Sequence, residues 1–187
     1  MISVRRLLST VLAAATFVSY GIVNAQTYPS KSIRIVVGFV PGGATDIVGR
    51  ILAEKLSASM RQPVLVDNRA GASGIIGADL VAKSAADGYT LFFTPSPHVI
   101  SPVLYANVPF DPIADFEPVG LVANLYYFLI ANPQLPVNSL RELIIFAKSS
   151  PRKLTYGTPG NGTINHLAME LLKQMAGIDL VTVHYKG

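Results

Sequence analysis

The chain has 187 residues, of which 50% are hydrophobic and 14% are charged, and this balance predicts a folded globular protein. A chain of this length forms roughly one to one and a half average domains. Without the first 25 residues, the chain has 13 basic and 11 acidic side chains. No basic run alternates with aromatic residues, which excludes a nucleic-acid surface. The sequence has no cysteine, which excludes disulfides and thiolate metal sites.

The first 25 residues have the pattern of a signal peptide. Arg5 and Arg6 give a positively charged start, residues 7–23 are largely apolar, and Val23-Asn24-Ala25 fits a small-residue cleavage site. Cleavage near Ala25 predicts a mature protein in a bacterial periplasm. The alternative is an N-terminal membrane anchor, for which the apolar stretch lies at the short end of the length that spans a bilayer.

Residues 33–56 contain the motif around which the rest of the chain is organised. A β-branched apolar run at 33–37 predicts a buried strand, and apolar residues take helical spacing after Pro41-Gly42-Gly43. A glycine turn before a helix offers backbone N–H groups and a positive dipole end to an anion, so phosphate or carboxylate is the expected ligand. The Walker lysine is missing, which disfavours a nucleotide triphosphate. The alternative is an ordinary tight turn.

The same order of strand, loop and helix recurs in the next part of the chain. Residues 64–66 form a second predicted strand, which leads through a glycine loop at 70–74 to a predicted helix from Ile75. Residues 89–93 form a third predicted strand, and the loop 94–98 follows its carboxyl end, where open α/β sheets bind ligands. His98 is therefore either a ligand contact or an ordinary loop histidine.

Two extended segments, at 119–122 and 126–131, interrupt this order and are predicted to be strands. Because they lie between two series of strand and helix, we interpret them as a crossing between lobes. The prediction divides the mature chain into a first lobe at 26–123 and, at 124–187, a hinge strand with the start of a second lobe.

The second lobe begins with a capping box, Ser139 to Glu142, which predicts a helix. A strand at 154–156, a loop at 157–163, a helix that ends at Gly177 and a strand at 180–185 follow. The helix after the loop gives a second N-terminus suited to an anion. His166, in its first turn, either donates to that anion or packs.

Two anion-ready loops in different lobes predict a cleft that closes by hinge motion and a protein that binds without turnover. The three histidines lack metal-ligand spacing, and no paired carboxylates flank either loop. We therefore expect no catalytic residues, no metal and no cofactor. Asp46, in the first turn of its helix, either caps that helix or has a ligand or interlobe role.

The mature chain resembles the substrate-binding proteins of tripartite tricarboxylate transporters, the Bug family, over residues 28–187. Six motifs carry the resemblance: Tyr28-Pro29-Ser30-Lys31, Pro41-Gly42-Gly43-Ala44-Thr45-Asp46, Asn68-Arg69-Ala70-Gly71-Ala72-Ser73-Gly74, Asp87-Gly88-Tyr89-Thr90, Gly160-Asn161-Gly162-Thr163 with His166, and Tyr185-Lys186-Gly187.

The resemblance implies an α/β fold of the type II-like two-lobed periplasmic binding class, incomplete at the C-terminus, so that the chain is expected to be an N-terminal fragment. It implies a small carboxylate ligand, delivery to the membrane components of such a transporter, and a monomer when full length. The ligand-binding residues that it implies are Gly42, Gly43, Ala44, Thr45, Asp46, Ser96, His98, Thr158, Asn161, Gly162, Thr163 and His166.

This chain departs from the family pattern at three prolines, Pro95, Pro97 and Pro159, each of which removes an amide donor from a predicted wall of the site. The identity of the carboxylate therefore stays open. The alternatives to a receptor are an exported α/β enzyme that acts on a small carboxylated or phosphorylated metabolite, and a remnant without a ligand.

Overall fold

The computed structural model describes residues 27–150 and 154–185. The signal peptide predicted at 1–25 lies outside these residues, as do Lys186 and Gly187 of the last family motif. The described residues from Lys31 onward form one compact unit. Among the described residues, no helix combines the length and the hydropathy needed to cross a membrane.

A three-stranded parallel sheet forms the first part of this unit. Its strands are β1 (Ile33–Val37), β2 (Val64–Asn68) and β3 (Thr90–Phe93), in the spatial order β2-β1-β3. Ile35 of β1 pairs with Val66 on one side and Leu91 on the other. Because β1 is central, its apolar run is buried on both faces, as the sequence predicted.

Helices follow the strands and cover this sheet. Helix α1 (Ala44–Met60) packs Leu52, Leu56 and Met60 against the buried residues of β1. Helix α2 (Ile75–Ala82) follows a 3₁₀ turn at Ala72–Gly74. The predicted order of strand, glycine loop and helix is confirmed in both cases, and it brings the carboxyl ends of the parallel strands, with their loops, to one edge.

Helix α3 (Pro97–Leu104) was not predicted, and it begins within the predicted loop 94–98. Pro97 occupies the first helical position, where the proline's missing N–H costs no hydrogen bond. The hydroxyl of Ser101 donates to the carbonyl of Pro97 over 2.6 Å. The helix was not predicted because Pro102 lies inside it, and a proline in the interior usually ends a helix.

A two-stranded parallel sheet forms the second part, from β4 (Thr155–Thr158) and β5 (Val181–His184). Helix α4 (Leu140–Ser149) begins at the predicted capping box, where the Ser139 side chain accepts from the Glu142 N–H. Helix α5 (Ile164–Ala176) ends at Gly177 in the left-handed region, as predicted. The buried core of this part consists of Ala147, Tyr156, Ile178 and Leu180.

The strands predicted at 119–122 and 126–131 are wrong, because both segments are irregular in the structure. β-branched and aromatic residues favour a strand only where a neighbouring strand accepts their ladder hydrogen bonds. No described strand runs beside these segments, and Val119, Phe128 and Ile130 are 84–86% exposed. The lobe boundary predicted between residues 123 and 124 falls within this irregular stretch and stays a prediction.

Candidate functional site

The loop between β1 and α1 is held by the carboxylate of Asp46. Its Oδ2 accepts from the Gly42 N–H at 2.8 Å and from Arg50 Nε at 3.0 Å, and its Oδ1 accepts from Asn68 Nδ2 at 2.9 Å. Asn68 Nδ2 also donates to the carbonyl of Phe39 at 3.0 Å. The Asp46 side chain is only 3% exposed, so its oxygens accept hydrogen bonds from these protein donors and are largely shielded from solvent.

These contacts hold the pKa of Asp46 at about 2. The hydrogen bond from Arg50 is the largest cause, and the bonds from Gly42 and Asn68 act in the same direction against the effect of burial. The carboxylate is therefore ionised at every physiological pH, and a general-acid role is excluded. The structure supports the capping alternative for Asp46, since the residue fixes the start of α1.

The loop between β4 and α5 is braced in a similar way by two buried threonines. Thr158 Oγ1 accepts from the Gly160 N–H at 3.0 Å, and Thr163 Oγ1 donates to the Gly160 carbonyl at 2.8 Å. Thr163 also caps α5 by accepting from the His166 N–H. Because side chains hold both the N–H and the carbonyl of Gly160, this loop is pre-organised before a ligand binds.

His166 completes the bracing of this loop. Its Nδ1 lies 3.3 Å from the N–H of Gly162 and accepts from it, which requires the neutral ring with its proton on Nε2. Burial lowers the pKa of His166, and Lys173 and His184 lower it further, while Glu170 raises it. The ring therefore stays neutral and acts on the loop; of the two open alternatives, this geometry favours packing.

A cavity of about 370 Å³ lies between these two loops. Four of the predicted site residues line it, namely Gly43, Ala44 and Thr45 at the start of α1 and Thr163 before α5. Pro95, Pro97 and Pro159 also line it, in walls that the sequence predicted. The sequence missed six further lining residues: Phe39, Leu125, Tyr126, Tyr127, Ile164 and Asn165. Most of these are apolar or aromatic, and only their positions in the fold bring them together.

None of the described residues lining this cavity is charged at neutral pH. The N-terminal turns of α1 and α5 border the cavity instead, and their dipoles and the first N–H groups that no cap occupies favour an anion. Among the described residues, no His, Asp and Glu side chains are grouped to hold a metal ion. The arrangement can therefore hold a carboxylate without an ion pair.

The other predicted site residues do not line this cavity. Gly42 lies one residue outside it and donates to Asp46, Ser96 is exposed at the start of α3, and Thr158 is buried below its loop. Gly162 packs so closely on α3 that an added Cβ would collide with Leu104. Gly42 and Thr158 form hydrogen bonds within the loops that wall the cavity, while the main-chain carbonyl of Asn161 accepts from Ser73 in a different loop.

His98 lies in a cluster of phenylalanines. Its ring stacks on Phe110, with 5.6 Å between the ring centroids, and meets Phe92 and Phe116 edge to face. Its Nε2 lies 3.0 Å from the carbonyl of Pro112 and donates to it, while the buried Nδ1 has no hydrogen-bond partner among the described residues. Burial lowers the pKa of His98. This geometry favours the alternative without a ligand contact, although His98 lies in the first turn of α3 and not in a loop.

A second cavity, of about 500 Å³, adjoins the first and shares Phe39 and Pro159 with it. The glycine loop after β2 forms one wall, with Ser73 as its polar side chain, and Gly160 and Tyr185 lie opposite. No ligand contact was predicted in this loop. The family motif at residues 68–74 was the signal that could have pointed to it.

Residues 48–187 match the family model described as Tripartite tricarboxylate transporter family receptor. The chain belongs to this receptor family. The match covers α2 to β5 and most of α1, and so it includes the braced loop before α5 and the loop after β2. The predicted family and the predicted α/β class are therefore confirmed.

Relatives of this receptor family match both sequence and fold. Protein BugT of Bordetella pertussis is 41% identical over 167 residues, which are 88% of this chain and 51% of that protein. The structure of R. palustris Rpa4515 with adipate matches with a TM-score of 0.83 and 40% identity, over 86% of this chain and 54% of that one.

MatC (Rpa3494) from Rhodopseudomonas palustris with bound malate matches with a TM-score of 0.76 and 29% identity, over 86% of this chain and 55% of that one. This receptor-family chain thus spans about half the length of the relatives that it matches.

Proposed function

We propose that the protein is a periplasmic solute-binding receptor that holds a small carboxylate in the cavity between the starts of α1 and α5. The uncharged lining of that cavity is the observation that carries the proposal. Two helix N-termini supply partial positive charge there without a lysine or arginine, which suits an anion that must be bound and later released.

The ligand class is supported by the relatives. One structure similar to this chain contains adipate and another contains malate, and both are carboxylates. The apolar and aromatic side chains in the cavity, including Phe39 and Tyr127, favour a carboxylate with an apolar chain over a hydroxylated one. We therefore propose that adipate-like dicarboxylates bind more tightly than malate.

The cellular setting follows from the family. We propose that the chain is exported, that it is a monomer when full length, and that it passes its solute to the membrane components of a tripartite tricarboxylate-type transporter. The family match supports this role. Binding without turnover is part of the proposal, because the side chains at the site brace the loops.

The decisive experiment changes one charge in the cavity. Ala44 is the first residue of α1 and lines the cavity. In Ala44→Asp the new carboxylate should repel a bound anion while it interacts favourably with the helix dipole, so affinity falls and folding stability does not. Ala44→Asn is the matched control, since it has nearly the same size without the charge.

Isothermal titration with adipate and malate measures the affinity of each variant, and thermal unfolding measures its stability. We expect Ala44→Asp to lose binding at least tenfold relative to Ala44→Asn, about 1.4 kcal/mol. Equal affinities in the two variants would contradict an anion site at this helix. Chemical conversion of either acid during the titration would instead favour an exported enzyme.

A further inference from the structure

The loop after β2 has an unusual backbone. Four consecutive residues have positive φ angles: Gly71 at 136°, Ala72 at 46°, Ser73 at 55° and Gly74 at 95°. Glycine adopts such angles freely, but in alanine and serine they carry a steric cost. A left-handed alanine and serine in sequence persist only where surrounding contacts hold them, and such outliers cluster at functional positions.

The contact at Ser73 reaches the other sheet. Its hydroxyl donates to the main-chain carbonyl of Asn161 over 2.7 Å, a bond between residues 88 positions apart. Tyr105 OH lies 3.4 Å from the same hydroxyl. The bond joins the loop after β2 to the loop after β4, and therefore joins the two parts of the fold at the edge where the cavities open.

Gly160 makes this approach possible. A Cβ added at Gly160 would lie 2.9 Å from Ser73 Oγ, closer than real Cβ contacts allow. The hydroxyl therefore occupies the space above a residue that has no side chain. Gly160 is itself braced by Thr158 and Thr163, so Ser73 binds to a loop that is already fixed.

We propose that Ser73 is a positioning residue that latches the loop at 159–163 to the loop at 70–74 and so stabilises the closed arrangement of the two sheets. Thr163, at the end of the latched loop, lines the cavity assigned above to the carboxylate. The effect of the latch on affinity rests on that proposed function, whereas its effect on the closed arrangement does not.

The first test measures closure without ligand. The chain has no cysteine, so Ser59→Cys and Gln174→Cys, both exposed in α1 and α5, can carry spin labels for a distance measurement across the two parts. In Ser73→Ala and Ser73→Gly we expect the population at the closed distance to fall relative to the open one by about fivefold, the effect of one hydrogen bond. An unchanged distance distribution in both variants would overturn the proposal.

The two variants also separate a latch from an ordinary stabilising contact. Glycine accepts the left-handed backbone that alanine resists, so Ser73→Gly should unfold at a higher temperature than Ser73→Ala. The latch predicts that both variants nevertheless lose adipate affinity equally, by about fivefold. Affinity that follows stability, with Ser73→Gly binding as well as the unsubstituted protein, would overturn the proposal.

Ser84→Ala is the matched control. Ser84 also donates its hydroxyl to a carbonyl, that of Leu80 at 2.8 Å, but within one helix end. It should leave both the distance distribution and the adipate affinity unchanged. If the unsubstituted protein does not bind adipate, the proposed function fails, yet the distance measurement still decides whether Ser73 is a latch.

Discussion

Asn68 Nδ2 donates to Asp46 Oδ1 over 2.9 Å and so ties the carboxyl end of β2 to the first turn of α1. Because Asn68 also holds the carbonyl of Phe39, one amide group fixes both ends of the loop that leads to Gly43. The site's main-chain donors are thus presented by side chains that never face the cavity.

Asp46→Asn should weaken this support. The amide has one oxygen, so it cannot accept at both positions: either Asn68 loses its acceptor, or the N–H of Gly42 and the side chain of Arg50 both lose theirs. We expect unfolding free energy to fall by about 1 to 2 kcal/mol, in line with the pKa of about 2 against a usual 3.8. Folding lowers the pKa of Asp46, so the ionised carboxylate makes its full contribution to the free energy of unfolding above pH 3.8. That contribution disappears as pH falls through about 2.

Chemical denaturation at neutral pH measures this change. Asp79→Asn is the control, because Asp79 also forms an i,i+4 ion pair, with the exposed Lys83, and such surface pairs contribute little. Equal destabilisation by the two substitutions would mean that the Asp46 network has no special role.

Gly43→Val should weaken carboxylate binding at least tenfold, about 1.4 kcal/mol. A Cβ at Gly43 meets only the carbonyl of Val40, at 3.8 Å, so the fold tolerates the side chain while the cavity that Gly43 lines becomes obstructed. Titration with adipate measures the loss. Gly120→Val, at an open position, serves as the control, and unchanged affinity in a folded Gly43→Val protein would rule out close main-chain approach.

His98 should make folding stability depend on pH. Its pKa is lowered by burial, so the unfolded chain takes up the proton first as pH falls below about 6.5. Stability is therefore full above that pH and is lost as pH falls through the lower folded value. His98→Phe keeps an aromatic ring among the phenylalanines but cannot titrate. It should therefore show a smaller decrease in the free energy of unfolding between pH 7.5 and pH 5.5 than the unsubstituted protein. Identical pH profiles for the two proteins would contradict the assignment.

His166 should make ligand affinity depend on pH. Protonated Nδ1 cannot accept from the N–H of Gly162, so the loop before α5 loosens in acid. We expect adipate affinity to fall severalfold below the pKa, which burial, Lys173 and His184 lower against the effect of Glu170. His166→Asn keeps an acceptor that does not titrate and should bind with a flatter pH profile. A profile as steep as that of the unsubstituted protein would show that another group is responsible.

Export should remove the first 25 residues. The charged start, the apolar stretch and the Val-x-Ala ending predict cleavage after Ala25. N-terminal sequencing of periplasmic protein should begin at Gln26. Recovery of the intact N-terminus, or recovery only in membranes, would favour the membrane anchor.

Sequence reasoning predicted the elements whose signals are local. The β-branched run of β1, the capping box at Ser139 and the stop at Gly177 are each specified within a few residues, and each is confirmed. The start of α1 was predicted in the same way, and the family resemblance added Gly43, Ala44 and Thr45 there as expected ligand contacts, which stay a prediction.

The errors lie where distant residues decide. Whether residues 126–131 form a strand depends on a neighbour that the segment itself does not specify. His98 was predicted to be either a ligand contact or an ordinary loop histidine, because nothing in its own surroundings predicts a helix there or Phe110 and Phe116 beside it. The hydrogen bond of Ser73 could not be predicted for the same reason, since its acceptor, the carbonyl of Asn161, lies in another part of the fold.

The central position of β1 determines where the molecule is slowest to open. Its amides and carbonyls are hydrogen-bonded to two neighbouring strands, and Ile33, Ile35, Val36 and Val37 are at most 1% exposed. Deuterium should therefore enter β1 only when the whole sheet unfolds, whereas the exposed residues 119–131 should exchange at once. The glycine loop of the cavity continues directly from β1, so the site is attached to the slowest-exchanging segment of the chain.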